Sequence, residues 1–423
     1  MLPAYRSQPV VFGLPDIPFV QSECVSLYGL KPPPEHHGSR TVKDHIRTTL
    51  FSILGARFKT RISTPELVAS STPVRVLVFR YDAVGDYIVT SPFVRWLAEN
   101  VPNVEIDVIS STRNIDLIRN DPFVHSVTAI HPGHIPHISW FNVYKHVRNR
   151  RPDAVAALVF TKMTKAAVLT ALAGPRAIRL TIEHSERKDI YGRVFDIQVQ
   201  HKQAGAHWME TMATVGPALF HTRQAEPRPY VVLEQRAQQR VADMLLTLGV
   251  GYSTNTGKGI VAAKGETMQT MSTSGLKYVV LNISAYSPNR QWSAENAVTA
   301  AGAIAQALPY TVCFVTGAPS NYRELEVELQ RTHVPGTHLW KGSLPELVAL
   351  TAGAQAVVTP DTAVLHMAAT AGVPVVGLYA ELIKVAEWYP LGTTFRAILS
   401  PDPYTINAIP PNLVAEQTVQ LLP

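Results

Sequence analysis

The sequence predicts an α/β protein of two Rossmann-like halves facing a cleft, with an N-terminal extension. Two observations predict it. First, short apolar runs rich in β-branched residues alternate with helical patterns in both halves of the chain. VRVLVFR (74–80) and VEIDVIS (104–110) lie in the first half; KYVVLNIS (277–284), YTVCFVTGA (310–318), QAVVT (355–359) and VPVVGLY (373–379) lie in the second. Strands alternating with helices imply parallel sheets covered on both faces. Second, polar residues able to do chemistry gather just after these runs, at the carboxyl ends of strands where such sheets hold ligands.

In order along the chain, residues 1–73 read as an irregular extension. Residues 1–40 hold seven prolines and no sustained period. Within the extension, 41–59 predict a helix with Val42, Ile46, Leu50, Ile53, Leu54 and Phe58 on one face and Lys43, Arg47 and Arg57 opposite. Such a helix either packs on the following domain or lies on a membrane surface. Residues 74–228 form the first α/β domain, with further strands expected at 127–132, 154–160 and 177–182 and helices at 87–99 and 164–174. Residues 229–423 form the second, with helices at 235–250, 294–308, 321–331 and 344–353. The polar, glycine-rich stretch 251–276 reads as a mobile surface insertion.

Composition narrows the function classes. The chain has 423 residues, 46% of them hydrophobic and 17% charged, which suits two buried cores and argues against disorder. A formal charge of +6 is weak over this length and speaks against a nucleic-acid binder. Cys24 and Cys313 are the only cysteines, so neither a disulfide framework nor a zinc pattern is expected, and a reducing compartment is. No run of about 18 apolar residues is present, and the N-terminus lacks the form of a secretion signal.

Three segments carry chemistry. In TPDTAVLHMAATAGVPVVGLY (359–379), Asp361 and Thr362 stand where a strand passes into a helix. They either cap that helix or border an N-terminus that suits a phosphate. His366 lies one turn along and either holds a ligand phosphate or is packed. In FRYDAVGDYIVTSP (79–92), Gly85 permits a tight turn and Asp86 stands at the mouth of a helix. A carboxylate there can take a proton from a substrate hydroxyl. Asp82 is a second carboxylate in the same loop, and spacing does not choose between them. The loop lacks both the dinucleotide fingerprint and the Walker lysine. In NISAYSPNRQWSAEN (282–296), Ser284, Ser287, Asn289 and Arg290 offer donors at a strand end, and the Arg290 fork suits a diphosphate.

Together, in order and spacing over about residues 74–400, these segments resemble glycosyltransferase family 9, the heptosyltransferases of lipopolysaccharide core assembly. The matching features are the strand and Gly85-Asp86 loop with Arg80 and Pro92, Arg290 two before Trp292, and Asp361-Thr362 followed by His366. The resemblance implies a GT-B fold, with the acceptor in the first domain and a nucleotide sugar in the second. It implies an inverting transfer without a cofactor or tightly bound metal. Asp86 matches the general base. Ser287, Arg290, Gly317, Asp361, Thr362, Ala363 and His366 make up the donor set, and ADP-L-glycero-D-manno-heptose is the first expected donor.

The chain departs from the family in three places. Arg290 stands where Lys is frequent, Ala363 where Gly is usual, and Ala380-Glu381-Leu382 where Gly-Pro-Thr is usual. On the acceptor side, Lys162 and Lys165, with Arg176 and Arg179, form either a basic rim for an anionic glycan or glycolipid or a solvated face. His207 and Glu210 read as structural. The expected setting is the cytoplasm, with the cytoplasmic face of the inner membrane open to the helix at 41–59. Two rivals remain: a GT-B enzyme with another nucleotide sugar or a protein acceptor, and a catalytically degenerate GT-B binding module.

Overall fold

The computed structural model describes residues 8–28, 42–57, 73–131, 138–160, 163–172, 177–183, 188–223, 225–254 and 259–422. The chain divides into two compact units, Lys31–Pro229 and Tyr230–Pro423, the latter also taking in Met1–Leu30. The expectation of an irregular start is corrected over the described N-terminal residues. Strand β1 (Val10–Phe12) pairs antiparallel with the strand Phe395–Leu399. The helix Ile17–Tyr28 then packs on the helix Leu382–Trp388, burying Val20 and Cys24 completely. Three residues are too few to show a period, and their order comes from an edge strand almost 400 residues away.

In the unit Lys31–Pro229, strands β2 (Val74–Phe79), β3 (Val104–Ser111), β4 (Ser126–Ile130), β5 (Ala154–Ala157), β6 (Ile178–Ile182) and β7 (Ile197–Val199) form one parallel sheet in the order β4-β3-β2-β5-β6-β7. The chain runs outward from β2 to β4, then returns to the other side of β2 for β5 to β7. The direction therefore reverses between β2 and β5, and the crevice beyond their carboxyl ends is the natural ligand position.

The helix Val84–Asn100 follows β2 and contains Pro92. Pro92 cannot donate to the Ile88 carbonyl, and the Ser91 hydroxyl bonds that carbonyl at 2.6 Å instead. Gly216 lets the helix Trp208–Phe220 approach this one closely, because a Cβ there would lie 2.1 Å from the Trp96 ring. The helix Val42–Arg57 packs on the helices Met163–Ala171 and Lys188–Tyr191 through the fully buried Phe51, whose ring centroid is 6.0 Å from that of Tyr191. Ile46, Leu50 and Ile53 of the same helix remain exposed.

In the unit that holds Tyr230–Pro423, β8 (Val231–Leu233) and β9 (Ile260–Ala262) form a small parallel sheet. The expectation of a mobile insertion at 251–276 is thereby corrected over its described part, which contains β9 and bridges Val250 to Leu276 and Ser253 to Ser272. Gly259 is there for closeness: a Cβ would lie 2.0 Å from the Thr370 carbonyl oxygen. The main sheet contains β10 (Lys277–Asn282), β11 (Thr311–Thr316), β12 (Thr337–Leu339), β13 (Ala356–Pro360), β14 (Val375–Tyr379) and β15 (Phe395–Leu399), in the order β1-β15-β14-β13-β10-β11-β12. Here the direction reverses between β10 and β13. Both faces of this sheet are apolar: Val279, Leu281, Val315, Val358 and Val376 are fully buried on one, and Val280, Val357 and Val375 on the other. Cys24 and Cys313 are both buried, and burial pushes each thiol up to about 12, so neither is a thiolate at neutral pH.

Candidate functional site

At the β2–β5 reversal, the loop after β2 is built around Arg80. Its side chain is fully buried and its Nε donates to the Asp86 carbonyl at 2.9 Å. Its Nη1 donates to the Leu158 carbonyl, and its guanidinium lies 4.2 Å from the Phe160 ring centroid. Asn114, also fully buried, fixes the loop from the other side: Nδ2 donates to the Arg80 carbonyl at 2.9 Å, and Oδ1 accepts from Ser111 N–H at 2.9 Å.

The two carboxylates of the loop have different surroundings. The Asp82 side chain is 6% exposed, sits 3.7 Å from Arg80 Nη1, and accepts the Phe160 N–H at 2.6 Å. Asp86 is half-buried in the first turn of its helix. Its Oδ2 accepts the Ala83 N–H at 2.9 Å, while among the described residues Oδ1 accepts no hydrogen bond. Asp82 is therefore the buried, ion-paired carboxylate of the loop, whereas Asp86 has no ion-pair partner among the described residues. Gly85 lies within the helix and without positive φ, so the tight turn expected of it is not formed there.

At the β10–β13 reversal the hub is Asn282, which is 1% exposed. Its Nδ2 donates to Thr359 Oγ1 at 3.0 Å and Thr362 Oγ1 at 3.4 Å, and its Oδ1 accepts from Ser284 Oγ at 2.8 Å. One buried amide thus ties the ends of both strands. Thr362 stands at the N-cap of the helix Ala363–Thr370 but caps nothing with its side chain. Its hydroxyl is engaged instead with Thr359, 3.2 Å away, and with Asn282. Plain capping by the Thr362 side chain is therefore not what the residue does.

Arg290 Nη1 lies 3.2 Å from Asp361 Oδ2, the side chains being 31% and 10% exposed. Asp361 in turn helps push the phenol of the buried Tyr379 well up, after the larger effect of burial. Ser287 Oγ donates to Asn289 Oδ1. Gly317 follows β11, where a Cβ would meet Asn321 Cβ at 3.0 Å and Ile283 Cγ1 at 3.1 Å. His366 is 2% exposed and packs 5.9 Å from the Trp388 ring. Serine, arginine, glycine, aspartate, threonine and Ala363 thus follow the ends of three adjoining strands, β13, β10 and β11, with His366 on the inner side of the helix.

Lys162 and Arg176 lie outside the described residues. Lys165 is half-buried, its ammonium 5.1 Å from the Trp140 ring centroid. Arg179 does not belong to a basic rim: it is 1% exposed in β6, with Nε 3.3 Å from Asp196 Oδ2. Strand burial on both faces requires that partner. His207 is fully buried and caps the helix Trp208–Phe220, accepting Met209 N–H at 3.1 Å, and Glu210 lies 3.6 Å from Lys202. Neither Asn282 nor Asn114 stands out in the sequence. The first opens the very loop that was singled out, but an asparagine at a strand end has many uses.

A family model described as glycosyltransferase family 9 (heptosyltransferase) matches residues 140–405. The chain belongs to that family. The matched family 9 region contains all the residues of the second strand-end group; Asp86 precedes it. Among solved structures, the fold is similar to a family 9 glycosyltransferase from Veillonella parvula, with a TM-score of 0.64 at 15% identity over 83% of this chain and 97% of that one. It is similar to ADP-heptose lps heptosyltransferase II of E. coli, with a TM-score of 0.61 at 18% identity over 82% and 98%. The E. coli heptosyltransferase WaaC with ADP gives 0.60 at 14% identity over 82% and 99%. No curated protein matches the chain. Two departures of this family 9 glycosyltransferase fall at helix starts: Ala363 opens Ala363–Thr370, and the exposed Glu381 precedes Leu382–Trp388.

Proposed function

We propose that this glycosyltransferase moves a heptose from ADP-heptose to a hydroxyl of a lipopolysaccharide-core acceptor, with inversion at the anomeric carbon. The observation that carries the reading is the donor corner: a helix start left uncapped by Thr362, with Arg290 held against it by Asp361. A helix start beside a guanidinium suits a diphosphate. Family 9 membership and the ADP-heptose enzymes among its structural relatives support the sugar and the nucleotide.

In this reading Asp86 Oδ1 takes the proton from the acceptor hydroxyl as its oxygen attacks the anomeric carbon. The bond to the β-phosphate oxygen breaks with its electron pair going to ADP, so one bond forms as one breaks and no covalent enzyme intermediate arises. Arg290, the Ala363–Thr370 helix start and Ser287 stabilise the departing charge, an effect of the kind that dominates many catalysed transfers. Gly317 keeps its strand end free of a side chain, His366 supports the helix from within, and the positive charges of Lys162 and Lys165 serve the anionic acceptor. Asp82 and Arg80 hold Asp86 in place.

A panel of nucleotide sugars, read by nucleotide release with a core acceptor, tests the reading. ADP-heptose is expected to be the preferred donor. Preference for another sugar would favour the rival donor that Ala380-Glu381-Leu382 leaves open, and binding of nucleotide without transfer from any donor would favour the binding-module rival.

The site of work in this reading is the cytoplasmic face of the inner membrane. The exposed Ile46, Leu50 and Ile53 of the helix Val42–Arg57, spaced four and three apart, form an apolar stripe, and Lys43, Arg47 and Arg57 supply positive charge. Among the described residues no helix is long and apolar enough to cross a membrane. The protein is expected to float with phosphatidylglycerol liposomes, and the Ile46→Ser/Ile53→Ser variant to stay in the dense fraction; equal flotation of both would reject the contact.

A further inference from the structure

The β2–β5 reversal carries more than Asp86. Phe160 leaves the end of β5, His201 follows β7, and Trp208 opens the helix Trp208–Phe220. The three rings form one cluster. His201 stacks on Trp208 with centroids 3.9 Å apart and planes 12° off parallel, and Phe160 meets Trp208 edge-on at 4.7 Å and 68°. His201 Nδ1 is 2.8 Å from Thr211 Oγ1, which fixes the imidazole plane.

The cluster adjoins Asp86 by two routes. Arg80 bonds the Asp86 carbonyl at 2.9 Å and lies over the Phe160 ring at 4.2 Å. One turn into each helix, Thr90 Oγ1 bonds the Asp86 carbonyl at 2.8 Å and approaches Met212 Sδ at 4.0 Å. Trp208 stands four residues before Met212, so the starts of the two helices are neighbours. All three rings are half-buried, whereas Phe79 and Tyr191 in this unit's core are buried outright.

We infer that Phe160, Trp208 and His201 form the wall of a saccharide subsite, against which a pyranose ring of the acceptor packs while its hydroxyl points to Asp86. A pyranose has a face of C–H groups and an edge of hydroxyls. Aromatic faces carry negative potential that attracts polarised C–H bonds, and rings already locked by one another lose little entropy on contact. A wall of rings beside one proton acceptor is also the usual make-up of a small-molecule site: apolar lining with few, placed polar groups. The inference rests on the proposed role of Asp86, since the wall orients what that carboxylate deprotonates.

The test uses full-length enzyme. Trp208→Ala is expected to raise the acceptor KM about 10-fold, to leave the ADP dissociation constant unchanged, and to change kcat less than KM. Trp208→Phe is expected to restore most of the loss. An unchanged acceptor KM, or a fall in kcat alone, would overturn the wall, because rings that merely support Asp86 would act on kcat. A second measurement needs neither turnover nor a variant: saturating aromatic protons of the wild type should transfer magnetisation to the C–H protons of a core oligosaccharide. No transfer to the sugar would overturn the inference. Failure of every donor with saccharide transfer intact would instead remove the proposed reaction and leave the subsite standing.

Discussion

Replacing Asp86 by Asn is expected to lower kcat about 100- to 10,000-fold, the usual contribution of a positioned general base, while ADP binds with unchanged affinity. The amide is isosteric and its Oδ1 can still accept the Ala83 N–H that Asp86 Oδ2 now holds at 2.9 Å, so the helix start survives. What is lost is the oxygen that can bind a proton. Asp82→Asn is the control: its partner Arg80 is fully buried, so the expected result is loss of thermal stability together with activity. Turnover by Asp86→Asn equal to that of the wild type would end the assignment of the base.

The second large effect concerns the donor corner. Arg290→Ala is expected to weaken ADP binding roughly 10- to 100-fold, as loss of a charge-assisted contact does. Arg290→Lys should recover part of it, since charge returns without the fork. Asp361→Ala is expected to weaken ADP binding as well, because Asp361 Oδ2, 3.2 Å from Arg290 Nη1, holds the guanidinium at the helix start. The double variant should lose less than the two single losses added, the mark of residues acting together. Titration calorimetry with ADP reads all four proteins, and unchanged dissociation constants would reject the corner as the nucleotide site.

Much of this was legible in the sequence because parallel strands buried on both faces are written as apolar runs. VRVLVF and KYVVLN stand out for that reason. The two strand-end groups were legible because their polar residues follow such runs directly. Tertiary partners hid the rest. Asp82 and Asp86 look alike in the loop until the Phe160 N–H, 78 residues away, and the buried Arg80 meet Asp82. Arg179 looks like a surface charge until Asp196 is brought beside it by β7. Thr362 looks like a cap until Asn282 draws its hydroxyl aside. β1 is three residues long, and Gly259 seems to mark a loop although it marks a close approach to Thr370. The aromatic wall was invisible for the same reason: Phe160 follows β5, whereas His201 and Trp208 follow β7, more than 40 residues on.

The most direct measurement of the central claim is the anomeric configuration of the product made from ADP-heptose and a core acceptor, followed by NMR as ADP is released. Inverted configuration at the new linkage, with one ADP released per heptose transferred, is the expected result. Retention of configuration, or release of free heptose with no linkage formed, would contradict a single displacement assisted by Asp86.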